Sequence, residues 1–184
     1  MPTHVALLRG INLAGRNRVA MADLRAVVEA LGHTAVGTYI QSGNVVFTAA
    51  GGNTTAVAAE LERAIADTIG VPAPVVVLTR DELAEVVAAN PYPDEPNPKL
   101  VHVMFTPDKI GAKTAAAVAQ AADRARAKGN ADTVQASGRV LYLHTPDGIG
   151  RSELAIQLSR LTMPAGTTRN WATVGQLLAR CDAG

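Results

Sequence analysis

The chain has little of several things. Among its 184 residues there is one cysteine, Cys181, so no disulfide can form within it, and a reducing cytoplasm is the expected location. Aromatic residues make up 3% and the formal net charge is +1. Both argue against nucleic acid as a partner, because such binders show a basic face and, on sheet platforms, stacked aromatics. No apolar run approaches the roughly 18 residues of a membrane-spanning helix, and Met1-Pro2-Thr3-His4-Val5 has no basic start of a signal peptide. The histidines His4, His33, His102 and His144 show no metal-ligand spacing. No G-x-S-x-G frame surrounds a serine, and neither a phosphate-binding P-loop nor a dinucleotide fingerprint occurs. These motifs name no cofactor.

What is present is an ordered series of short elements. His4–Arg9 reads as a strand, followed by a loop carrying Gly10, Asn12, Gly15, Arg16, Asn17 and Arg18. Leu24, Val27, Val28 and Leu31 then repeat at helical spacing up to Gly32. Thr34–Gln41 and Asn44–Thr48 read as hairpin strands around the polar tip Gln41-Ser42-Gly43-Asn44. Asn53 or Thr54 caps a helix with Val57, Leu61 and Ile65 inward, and Pro74–Leu78 is a strand of nearly pure valine, which predicts burial. Thr79-Arg80-Asp81-Glu82 has capping-box spacing and opens a short helix.

The segment 91–98 holds Pro91, Pro93, Pro96 and Pro98, which exclude helix and ladder, and so divides residues 1–90 from residues 99–184. Beyond it the order recurs: a strand at Leu100–Phe105, a helix at Ile110–Lys128, a hairpin around Ser137-Gly138, a helix at Ser152–Leu161, a short strand ending at Arg169, and a helix capped by Asn170. Each half is β-α-β-β-α-β plus one further helix. The fold class is therefore α+β, with two tandem ferredoxin-like units and antiparallel sheets.

Three segments carry a resemblance. They are Leu8-Arg9-Gly10-Ile11-Asn12 with Gly15 and Asn17, Tyr39-Ile40-Gln41-Ser42-Gly43-Asn44-Val45, and Thr168-Arg169-Asn170-Trp171. Together they resemble the bacterial family known as domain of unknown function 1697. The resemblance implies a cytosolic α+β protein of ferredoxin-like topology, and it implies no activity.

In a ferredoxin-like sheet the end of the first strand lies beside the start of the third. That topology gathers Arg9, Asn12, Arg16 and Arg18 with Gln41, Ser42 and Asn44 at one sheet edge. Arginine forks and side-chain amides suit a phosphate or carboxylate, so a small anionic molecule is the expected ligand. Turn asparagines that bond only the local backbone are the competing reading. Arg169, beside the single tryptophan Trp171, is a further candidate for the patch. An enzyme stabilising a charged substrate through these arginines, and a nucleic-acid-binding module, are the alternative functions. Gly148-Ile149-Gly150-Arg151-Ser152 reads as a loop closed by a Ser152 cap rather than as an anion seat.

Overall fold

His4–Leu8 forms β1, a central strand of the first sheet in the computed structural model, which describes residues 1–163 and 165–183. The chain continues through α1 (Met21–Ala30), β2 (Thr34–Tyr39), β3 (Asn44–Thr48), α2 (Thr54–Ile69), β4 (Val75–Thr79) and α3 (Arg80–Ala88). The strand order is β2-β3-β1-β4, with every neighbour antiparallel. The second series is β5 (Val101–Phe105), α4 (Ala112–Ala127), β6 (Thr133–Ser137), β7 (Val140–His144), a 3-10 turn at Ile149–Arg151, α5 (Glu153–Ser159) and β8 (Thr167–Asn170). Its order, β6-β7-β5-β8, repeats the first, and α6 (Trp171–Asp182) follows it. Both sheets have the ferredoxin-like strand order.

Burial follows from strand alternation. Ala6 and Leu8 of β1 join Val45, Phe47, Val75 and Val77 against the inward stripes of α1 and α2, where Leu24, Val28, Leu61 and Ile65 are buried. The intervening residues Val5, Leu7, Val76 and Leu78 are buried too, so both faces of this sheet are covered, as the valine run implies. The helix α3 packs on β1 and β4 and buries Leu83. Its start is fixed by the capping box: Glu82 N donates to Thr79 Oγ1 at 3.1 Å, and Thr79 N donates to Glu82 Oε2 at 2.8 Å. Asn53, Ser152 and Asn170 accept from Ala56 N, Ala155 N and Thr173 N, so each caps its helix as its residue type predicts.

Two boundaries differ from the sequence reading. The compact units are Met1–Ala88 together with Gly175–Gly184, and Ala89–Val174. The proline-rich segment is therefore part of the second unit rather than a free linker. Glu95 Oε2 lies 2.6 Å from His144 Nε2, and Thr133 Oγ1 donates to the Tyr92 hydroxyl at 2.9 Å. Secondly, the end of the chain groups with the first unit: Arg80 is paired with Asp182 at 2.8 Å, and the Arg180 guanidinium lies 4.8 Å from the centre of the Tyr39 ring.

One buried group gives this fold a pH dependence. His102 on β5 is buried, its Nδ1 finds no hydrogen-bond partner among the described residues, and burial lowers its pKa below 6.5. Burial and then the neighbouring His33 lower His4 in the same direction. A depressed histidine stays neutral in the native state while the unfolded chain takes up a proton near 6.5, so stability is full above that pH and falls below it, down to the native pKa. Urea denaturation between pH 7.5 and 5.5 should show this loss. His102→Leu should reduce the slope and leave the part due to His4, and a profile unchanged by that substitution would remove His102 as a cause.

Candidate functional site

The antiparallel register pairs Leu7 with Asn44, and Leu8 N donates to Gly43 O at 2.8 Å. The end of β1 therefore meets the start of β3, and the loop leaving β1 lies against the hairpin tip. That loop is unusual in its backbone. Gly10, Asn12, Ala14, Gly15 and Asn17 all have positive φ, as do Ile40 and Gly43 of the tip. Asparagine tolerates this region, whereas alanine and isoleucine are strained there by about 1–2 kcal/mol each.

Side-chain amides hold the loop in this shape. Asn12 Nδ2 donates to Val19 O at 2.9 Å and to Gln41 O at 2.8 Å, and Asn12 Oδ1 accepts from Val19 N at 2.9 Å. Asn17 Nδ2 donates to Gly10 O at 2.9 Å, and Asn12 N donates to Asn17 O. A single bridge pairs Leu13 with Arg16 across the loop's far end. Asn12 thus staples the loop both to its own return limb and to the hairpin, and each such bond contributes about 0.5–1.5 kcal/mol.

The first hairpin strand ends two residues earlier than its sequence suggests, at Tyr39 rather than Gln41. Tyr39 pairs with Asn44, so β2 ends before Ile40, and Ile40 enters the turn at φ 50°. Asn44 opens β3, as the strand reading Asn44–Thr48 has it, but it is fully buried there and is not a side chain of an open patch. Its Nδ2 donates to Tyr39 O and to Ser42 Oγ, both at 2.9 Å, so it organises the turn from within. Ser42 is half-buried and is the acceptor of one of those bonds.

Between loop and tip lies an open concavity of about 460 Å³, lined by Asn12, Gly15, Arg18, Val19, Ala20 and Gln41. Of the expected site residues, Asn12, Arg18 and Gln41 come together here. Arg9 and Arg16 are exposed on the same loop but do not line the concavity, nor do Ser42 and Asn44. Among the described residues, no hydrogen bond or ion pair engages the side chains of Arg9, Arg16 or Arg18. Ala20 is both a wall of the concavity and the N-cap of α1, and its side chain offers no cap to the first-turn N–H groups. Of the other walls, Gly15 stands in the loop motif already read from the sequence, whereas Val19 and Ala20 carry no chemistry that such a reading could use.

Arg169 belongs to the second unit and is placed in β8 opposite Val103. It is buried at 8% exposure, and Nη1 donates to Thr167 Oγ1 at 2.7 Å and to Thr168 O at 2.9 Å. Desolvation lowers its pKa to about 10, which leaves it charged at neutral pH. No group of histidine, cysteine or carboxylate side chains among the described residues is arranged to hold a metal ion. Nor is any described helix long and apolar enough to cross a membrane.

Two ferredoxin-like units in one chain, with an asparagine-stapled arginine loop at the edge of the first sheet, define an α+β protein class. The chain belongs to the family described as Protein of unknown function (DUF1697), whose pattern matches residues 1–142. That match includes the loop and the hairpin tip and ends in β7, ahead of Arg169. Among solved structures the chain is similar to the conserved bacterial protein SP0830 from Streptococcus pneumoniae, at 21% identity, over 98% of each chain and with a TM-score of 0.68. At that identity the likeness is one of fold. No curated protein matches the chain.

Proposed function

We propose that the concavity beside the 9–20 loop binds a small anionic molecule, phosphorylated or carboxylated. One observation carries this reading: Arg18 lines a concavity whose other polar walls are amides, on a loop where Arg9 and Arg16 also stand exposed and unpaired among the described residues. A guanidinium without a carboxylate partner is a ready ligand for an anion, and a charge-assisted bond is about twice as strong as a neutral one. The loop is held in shape by Asn12 and Asn17 before any ligand arrives, so little ordering opposes binding. A cytoplasmic setting is part of the same proposal. It suits the single cysteine, Cys181, which is buried and whose thiol pKa is raised by that burial.

A thermal-shift screen with inorganic phosphate, pyrophosphate, sugar phosphates and di- and tricarboxylates tests it. A ligand present at 100 times its dissociation constant adds about 2.7 kcal/mol of stability. Arg18→Ala should abolish the shift and change the unliganded protein by less than ~1 kcal/mol, since the side chain holds no other group. Arg63→Ala, an exposed arginine on α2, should leave the shift intact. A screen in which no anion shifts the wild type, or in which Arg18→Ala responds like the wild type, rejects the proposal.

A further inference from the structure

Two side chains at this site are of the wrong kind for a solvated turn. Leu13 and Ile40 are 62% and 51% exposed, although both are large and apolar. Leu13 follows Asn12 and Ile40 precedes Gln41, and the 2.8 Å bond from Asn12 Nδ2 to Gln41 O holds those two segments together. Neither lines the concavity itself, but each is the immediate chain neighbour of a residue that does, Asn12 and Gln41. Ile40 is also held at φ 50°, a conformation that a β-branched residue resists and that glycine or asparagine would adopt freely. Neither hydration nor local backbone preference accounts for isoleucine here. Such outliers gather where a site needs a particular side chain.

The concavity itself is mixed. Gly15, Val19 and Ala20 give it an apolar wall, while Arg18, Asn12 and Gln41 give it polar groups. Its volume, about 460 Å³, is that of a small-molecule site rather than of a single phosphate. We infer that the anion taken at this site carries an apolar group, as an alkyl or aryl phosphate or carboxylate does, with Leu13 and Ile40 covering that group while Arg18 meets the charge. This rests on the anion reading above and adds the chemistry of the ligand's other end.

Calorimetric titration with inorganic phosphate and with hexyl phosphate separates the two ideas. Hexyl phosphate should bind at least ~10-fold more tightly, the gain expected from burying two or more methylenes. Ile40→Asn and Leu13→Ser should each bring hexyl phosphate toward the affinity of phosphate and leave phosphate itself unchanged. Ile40→Asn should keep or raise the thermal midpoint, because asparagine accepts the left-handed backbone, so a lost preference cannot be assigned to misfolding. Equal affinities for the two compounds, unaffected by Ile40→Asn, overturn this inference and leave the anion reading standing. Hexyl phosphate binding that survives Arg18→Ala overturns the anion reading instead, and with it this one. The same chemistry occurs in a lipid surface. Co-sedimentation with phosphatidylglycerol vesicles, abolished by Ile40→Asn, would place the alkyl phosphate in a membrane, whereas tight hexyl phosphate binding without co-sedimentation would identify a free molecule.

Discussion

Gly43→Ala should cost about 2–5 kcal/mol in urea denaturation, combining left-handed strain of ~1–2 kcal/mol with overpacking of ~1–3 kcal/mol. Gly43 has φ 76°, and a Cβ built on it would lie 2.7 Å from Ile11 Cδ1, 2.8 Å from Leu8 Cβ and 3.1 Å from Ile11 Cγ1. Ile11 Cδ1 is the end of a side chain and can swing aside. Leu8 Cβ can move only with the backbone of β1, which is paired on both edges and bonded to Gly43 O. The added methyl therefore pushes apart the two strands whose junction shapes the site. A second readout follows: the residue displaced is the neighbour of Asn12, so the variant should also lose anion-induced thermal stabilisation. A loss of less than ~1 kcal/mol would mean that Ile11 relaxes outward and the junction is softer than described.

Leu61→Ala should be comparably damaging, at about 2–5 kcal/mol, the range for truncating a buried leucine. Leu61 sits in the middle of α2 at 1% exposure, in the same core as Phe47, Val57 and Ile65. The cost lies toward the upper end if α2 cannot settle into the space, and α2 is pinned at both ends, by the Asn53 cap and by the Gly70 N–H bond to Ala66 O. This truncation is far from the arginine loop, so it should lower the denaturation midpoint while leaving the ligand-induced shift in place. A loss below ~0.5 kcal/mol would show that the inward face of α2 is misassigned.

The fold was legible where the physics is local. The valine run of β4, the Thr79–Glu82 box, the Asn53 cap and the two hairpin glycines each act over a few positions, and the same order of elements in both halves turned local readings into a topology. The site was half legible. Topology alone put the end of β1 beside the start of β3, and the register bears that out through Leu7 and Asn44. The use made of each polar residue was not legible, because it depends on partners distant in sequence. Asn12 bonds Gln41 O across 29 positions, and no spacing rule announces it. Asn44 is legible as the start of a strand, but its burial is not, because nothing local reveals that Tyr39 is its strand partner and that Ile40 must then make the turn. The exposed Leu13 and Ile40 were invisible for the opposite reason: apolar residues in a sequence are read as core until their surroundings are known.

The grouping of Gly175–Gly184 with Met1–Ala88 has a consequence for how the protein is made. During synthesis the whole of the second unit leaves the ribosome before Arg180, Cys181 and Asp182 do. The contacts of Arg80 with Asp182 and of Tyr39 with Arg180 therefore form only after the second unit has been synthesised, whatever the first unit has already folded. The unit that bears the arginine loop is the first to be translated and the last to be completed.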